Sequence, residues 1–218
     1  MSETEAPYFI NHERGRRFPW SLYHRDLDRR LARAIARTGR VSPRVLVVGC
    51  GLEPRVDLQG RMSDVQFFAC DSDARAIAEC KKRYPEMEGR LAVCPTGNEL
   101  PTEPAFMTPF DVVLAKEVVE HLPSPEPWAQ ALAARVALGG ALLLTTPNYG
   151  SLSLLGLLER TVLEAIARRD GYSRANIHPT KFTRRRLSLL DVGPGMQLVR
   201  VETTWTGWAL LGHWKRVA

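Results

Sequence analysis

The chain has 218 residues, of which 44% are hydrophobic and 25% charged, the balance of one mid-sized globular domain and not of a disordered or collagen-like chain. At this length about two-thirds to three-quarters of the unfolded surface can be buried, so no disulfide or metal staple is required. The net charge of +6, from 30 Lys and Arg against 24 Asp and Glu, permits an anionic partner without specifying one, and nucleic acid is only a minor candidate.

The amino terminus, MSETEAPYFI, carries acids and no long apolar run, so it does not read as a secretory signal. Tyr8, Phe9, Phe18, Trp20 and Tyr23 follow as an aromatic cluster, suited to lining an apolar pocket or to pinning this segment on a core. From Tyr23 to Thr38 the spacing of Leu27, Leu31, Ala34 and Ile35 predicts a helix with arginines on its outer face, stopped by Gly39. Apolar runs of strand length then recur at Val45–Val48, Val65–Cys70, Leu91–Cys94, Val112–Ala115 and Ala141–Thr145. Helical patterns over Asp73–Tyr84 and Pro127–Ala137 lie between them, with room for a short helix within Pro54–Met62. Continuous apolar strands alternating with helices predict a parallel sheet covered on both faces, wound as an open α/β fold.

Past Asn148 the pattern changes. Ser151–Arg169 reads as an amphipathic helix, interrupted by Glu159, Arg160 and Glu164 and therefore too charged for a membrane span of about 20 apolar residues. A helix around Arg184–Leu190 follows, then a Gly193-Pro194-Gly195 turn and two strands, Gln197–Thr204 and Trp205–Leu211, forming a closing hairpin. Cys50, Cys70, Cys80 and Cys94 form no CxxC pair, and the thiols that end apolar runs read as buried and free. The expectation is a reduced, cytoplasmic, soluble protein, monomer or homodimer, without a membrane span.

In such a sheet ligands bind beyond the carboxyl ends of the strands. The first strand runs into Gly49-Cys50-Gly51-Leu52-Glu53-Pro54, where the glycines allow a sharp turn and close approach of a ligand to the backbone. Asp71, 22 residues past Gly49, ends the second strand as a carboxylate placed to accept ribose hydroxyls. The loop alone leaves a dinucleotide site and an S-adenosylmethionine site both open, since Pro54 stands at the last place of GxGxxG, Val47 at the acid and Glu53 at the final glycine of the other pattern.

Three further motifs separate them. Phe110-Asp111-Val112-Val113 leading into Glu117-Val118-Val119-Glu120-His121, then Gly139-Gly140 before a strand ending Thr146-Pro147-Asn148, then His178 ahead of Phe182-Thr183, closely resemble class I S-adenosylmethionine-dependent methyltransferases of the ubiquinone-biosynthesis type. The resemblance runs from about Val45 to the carboxyl end. It implies a Rossmann-like, doubly wound, seven-stranded sheet whose last strand is antiparallel, in a single domain: an N-terminal cap (1–40), a cofactor-binding core (41–149), a helical insertion or lid (150–180) and a C-terminal helix and hairpin (181–218). It implies S-adenosylmethionine as cofactor, with Gly49, Cys50 and Gly51 against its methionine part, Asp71 and Ser72 at the ribose, Thr96, Gly97 or Asn98 at the adenine, and Lys116 and Glu117 at the pocket mouth.

Methyl transfer from a sulfonium needs alignment and exclusion of water, and a base only where the attacking atom carries a proton. His121 and His178 are the candidate bases; a structural role for His121, bonded to Glu117 on one helical face, stands beside that reading, and His24 in the cap is a weaker candidate. The expected activity is methylation of a small-molecule metabolite. RNA or protein methylation, and a non-catalytic protein that keeps the fold, are the competing readings.

Overall fold

A computed structural model describes residues 20–56, 64–94, 99–150 and 178–218. The 151–169 helix, most of the Pro54–Met62 segment and Tyr8, Phe9 and Phe18 therefore lie outside the described residues. Seven strands form one sheet: β1 (Arg44–Val48), β2 (Gln66–Asp71), β3 (Leu91–Val93), β4 (Phe110–Lys116), β5 (Val136–Pro147), β6 (Met196–Thr203) and β7 (Ala209–Arg216). Their order is β3-β2-β1-β4-β5-β7-β6. The first five are parallel, and β7 runs antiparallel to both β5 and β6, as the sequence predicts.

The helices are α1 (Trp20–Ala36), α2 (Ala74–Arg83), α3 (Pro104–Met107), α4 (Pro125–Ala134) and α5 (Arg184–Ser188), with single 3-10 turns at Pro85–Met87 and Val119–His121. Strand residues alternate between two cores. Val45 and Val47 of β1, Phe67 and Ala69 of β2, and Val112 and Leu114 of β4 face α1 and α2, against Leu31, Ile35, Ile77 and Cys80. Their neighbours Leu46, Val48, Phe68, Cys70, Val113 and Ala115 face the other way, against Trp128, Leu132 and Leu187 of α4 and α5. Covering both faces makes each parallel strand apolar throughout, which is why the runs are continuous rather than alternating. Val47, where the resembled family carries an acid, is 4% exposed and belongs to this packing.

The helix ends follow local chemistry. Asp73 caps α2 by accepting from the Arg75 N–H at 2.9 Å, and Lys81, Lys82 and Arg83 occupy its last turn, where cations suit the helix dipole. Hydrogen bonding to Arg75 holds the Asp73 carboxyl below its ordinary range.

Three expectations need correction. β5 begins at Val136, five residues before the predicted Ala141, and Gly139-Gly140 lie inside it at a bulge between the Phe110 and Val112 pairings. A Cβ on Gly140 would sit 2.7 Å from the Asp111 carbonyl and 2.8 Å from that of Ala137, so the glycine lets two backbones meet instead of breaking the strand. The last strand is Ala209–Arg216, not Trp205–Leu211; Trp205–Trp208 form the hairpin turn, closed by the Thr204 N–H to the Ala209 carbonyl at 2.9 Å. After β4 the chain makes a 3-10 turn and not a helix, because Pro123 and Pro125 restrict the residues before them and α4 starts only at Pro125. Among the described residues no helix is long and apolar enough to cross a membrane.

Candidate cofactor and active site

β1, β2 and β4 release their chains at the same end of the sheet, and most of the expected site residues meet there. Gly49 and Gly51 adopt φ of +68° and +52°, conformations that cost an L side chain about 1–2 kcal/mol. The turn hangs on β2 through the N–H groups of Gly49 and Cys50, which both donate to the Cys70 carbonyl at 2.9 and 3.2 Å. A Cβ on Gly49 would lie 2.5 Å from Cγ2 of Val118, so the loop after β4 presses directly on the glycine turn.

Asp71 ends β2 and is 6% exposed. One carboxylate oxygen accepts from the Gly51 N–H at 2.7 Å and the other from the Asp73 N–H at 2.8 Å. Each oxygen keeps a second acceptor site. Ser72 beside it is exposed. Cys50 takes part through its backbone: its thiol turns under the loop, where it and Cys80 both donate to the Gly51 carbonyl, at 3.6 and 3.3 Å. All four cysteines are free and buried, as the sequence predicts for Cys70 and Cys94. Hydrogen bonding to Cys80 and then burial push the Cys50 thiol up, and Cys94 and burial do the same to Cys70.

Lys116, at the end of β4, reaches Asp28 of α1 at 3.0 Å and Glu53 of the glycine loop at 3.2 Å. Burial works against its charge, but the Asp28 and Glu53 carboxylates prevail and hold its pKa above the ordinary value. Glu53, which replaces the last glycine of the resembled pattern, thus fastens the loop to β4. Glu117 has φ of +58°, held there by Thr145: the Thr145 hydroxyl accepts from the Glu117 N–H at 3.0 Å and donates to its carboxylate at 2.9 Å.

Lys116→Met is expected to lower stability by about 2 kcal/mol, since two carboxylates lose the cation that compensates their partial burial. The sign follows from the raised pKa: the lysine's contribution is full below its unfolded value of 10.5 and is lost only as pH rises through the still higher folded value. Denaturant midpoints of variant and parent should therefore differ by a constant amount from pH 7 to about 10, within the range where lysine stays charged. Equal midpoints would show the bridge to be energetically empty.

His121 and His178 come together, their rings 4.8 Å apart and edge to face. His121 is not held on a helical face with Glu117; its Nε2 lies 4.0 Å from the Glu120 carboxylate. Thr96, Gly97 and Asn98 lie outside the described residues, and His24 sits on α1. Sequence reasoning missed Glu120, a carboxylate only 1% exposed, together with Tyr149, Thr145 and Asp28. Adjacency to His121 in the Glu117–His121 motif was the one available signal for Glu120. The three arginines at 184–186 are exposed, with Arg186 lying over the Phe182 ring at 5.3 Å, a solvated basic face on α5.

A wound sheet with a reversed β7, a glycine turn after β1 and an acid at the end of β2 defines a class I S-adenosylmethionine-dependent methyltransferase fold. The sequence profile of the methyltransferase-domain family matches residues 23–190, and the chain belongs to that family. A Mycobacterium tuberculosis protein, named among the S-adenosylmethionine-dependent methyltransferases, is 36% identical over 135 residues. That match takes in 59% of this chain and 43% of the relative, so the chain spans less than half of the relative's length. Among solved structures, the N-methyltransferase NodS from Bradyrhizobium japonicum, in complex with S-adenosyl-L-homocysteine, superposes with a TM-score of 0.61 at 16% identity, over 97% of this chain and 99% of that one. The magnesium protoporphyrin IX methyltransferase from Synechocystis, also with S-adenosylhomocysteine bound, gives 0.56 at 16% identity, over 89% and 83%. The family's cofactor is S-adenosylmethionine, and Asp71 fits it as an acceptor: two fixed carboxylate oxygens, each with one acceptor site left, match two adjacent ribose hydroxyl donors.

Proposed function

We propose that this chain transfers a methyl group from S-adenosylmethionine to a small-molecule acceptor. The observation that carries the reading is Asp71, buried at the carboxyl end of β2 and locked by two backbone N–H groups beside the glycine turn. In that reading Asp71 holds the ribose, with Ser72 beside it. Gly49, Cys50 and Gly51 offer backbone to the methionine part, and Thr96, Gly97 or Asn98, outside the described residues, are assigned to the adenine. Lys116 and Glu117 border the mouth, Lys116 by holding the loop closed through Glu53. When bound, the cofactor supplies an electrophilic methyl carbon with a good leaving group, so the chain's task is to align the acceptor and exclude water. His121 and His178 stand at the acceptor end, where a proton on the attacking atom has to be handled.

Charge favours a small acceptor over RNA. Among the described residues, the segments leaving β1, β2 and β4 bring Glu53, Asp71, Glu117 and Glu120 to this end of the sheet, and Lys116 among them is already neutralised by Asp28 and Glu53. A phosphate backbone needs the opposite sign of field. Calorimetric titration with S-adenosylhomocysteine is expected to show saturable one-to-one binding, while single-stranded RNA gives no salt-dependent binding. Absence of heat at millimolar S-adenosylhomocysteine would overturn the reading.

A further inference from the structure

We propose that Cys50 and Cys80 are a redox-modification site: peroxide joins them as a disulfide, and the link lowers affinity for the cofactor. The two thiols come from separate elements, the glycine turn after β1 and the last turn of α2. Both donate to one acceptor, the Gly51 carbonyl, at 3.6 and 3.3 Å. They also hydrogen-bond to each other. Sulfurs already in contact need only side-chain torsion and a small yielding of the turn to reach the bond length of about 2.05 Å.

The chain holds a second thiol pair, which the fold keeps apart. Cys70 and Cys94 lie on the opposite face of the sheet and hydrogen-bond through their thiols. Cys70 stands opposite Ala92 in the β2–β3 ladder, and Cys94 continues that ladder two residues further on, its N–H donating to the Asp71 carbonyl at 2.8 Å. Strands about 4.8 Å apart, rising about 3.3 Å per residue, put such diagonal Cα atoms about 8 Å apart. A disulfide spans less than about 7 Å. Strand pairing fixes both members of that pair, whereas Cys50 sits in a turn.

Cys80 is the thiol suited to react first. Hydrogen bonding from Cys50 holds its pKa below the ordinary value against the cost of burial, and Arg83 adds to the effect; the thiolate is the form that attacks. The same shift falls on Cys94 beside Cys70, so geometry and not acidity separates the pairs. The Cys80 sulfur attacks one oxygen of hydrogen peroxide, the O–O bond breaks, and hydroxide leaves, giving a sulfenic acid. The Cys50 thiolate then attacks that sulfur: the S–S bond forms, the S–O bond breaks, and a second hydroxide leaves. The two hydroxides take up the two thiol protons, so the thiols are oxidised by two electrons and the peroxide is reduced to two waters. Both thiols are buried, and peroxide, scarcely larger than water, reaches them through local opening of the glycine turn.

The link acts on the cofactor site through Gly51. Its carbonyl is the oxygen that both thiols serve, and its N–H donates to Asp71 at 2.7 Å. Oxidation strips the carbonyl of both donors and draws Cys50 toward α2. Gly51, at φ +52°, is then displaced from the carboxylate it helps to fix. This effect rests on the methyltransferase reading, whereas the disulfide itself does not.

The test treats the full chain, reduced and desalted, with hydrogen peroxide, and maps cross-links by mass spectrometry of peptides digested without reductant. A Cys50–Cys80 link that dithiothreitol reverses is expected, and it should form more slowly under saturating S-adenosylhomocysteine, which covers the turn. Calorimetry should show the oxidised chain binding S-adenosylhomocysteine at least tenfold more weakly than the reduced one. Cys80→Ala and Cys80→Ser should each bind as the reduced parent does and keep that affinity after peroxide; two replacements guard against one that fails to fold. Absence of the link, a Cys70–Cys94 link in its place, or a Cys50–Cys80 link with affinity unchanged overturns the proposal. Failure of the reduced parent to bind S-adenosylhomocysteine removes the methyltransferase reading and with it the effect on the cofactor, while the peptide map still decides the disulfide. Binding by the reduced parent with no link removes this proposal alone.

Discussion

Asp71→Ala is expected to weaken S-adenosylhomocysteine binding roughly a hundredfold and to lower stability by about 3 kcal/mol, because hydrogen bonds to a charged partner each contribute about 1.5–3 kcal/mol. Two effects combine here. The ribose loses its acceptor, and the N–H groups of Gly51 and Asp73 lose theirs. Asp71→Asn separates them, since the amide keeps the shape and one acceptor oxygen but offers donors where the backbone also donates. Its stability should fall by about half as much, within the range for a single mispaired buried group, while binding stays impaired. Calorimetry for affinity and denaturant midpoints for stability check both. Unchanged affinity in Asp71→Ala would mean that the carboxylate braces the loop and touches no ligand.

Gly49→Ala should be nearly as damaging, by about 3 kcal/mol, the sum of a left-handed backbone penalty and overpacking against a close neighbour. The added methyl would meet Val118 at 2.5 Å, and Val118 is half-buried and β-branched, with little freedom to swing aside. The double variant Gly49→Ala with Val118→Ala removes the overlap and leaves only the φ of +68°. Its stability is expected to exceed that predicted by adding the two single changes by at least about 1 kcal/mol, the size of coupling seen between residues in contact. Strict additivity in urea melts would show that the two loops do not touch in solution.

The parallel half of the sheet was legible because both its faces are covered, which writes each strand as an uninterrupted apolar run. The glycine turn and Asp71 were legible for a related reason: strand ends carry ligands in this architecture, and only a few residues stand there. What failed to show in the sequence depended on contacts between distant segments. Gly139-Gly140 read as a strand boundary because nothing local reveals that the Asp111 carbonyl approaches from β4. Trp205 and Trp208 read as strand residues by propensity, yet they turn the hairpin, with Trp205 69% exposed. Lys116 was legible as the residue that ends β4, but its partners Asp28 and Glu53 lie 88 and 63 residues away. Glu120 passed unnoticed as one acid in a motif, and its burial follows from a segment nearly sixty residues later closing over it through Thr180.

The bridge from Glu53 through Lys116 to Asp28 has a bearing on how such chains can drift. A glycine at position 53 would leave the ammonium with one carboxylate, and a neutral residue at 116 would take a shared cation from two acids in a half-dry crevice. Neither change is readily tolerated without the other, so in descendants of this chain the two sites should mutate as a correlated pair, carrying position 28 with them.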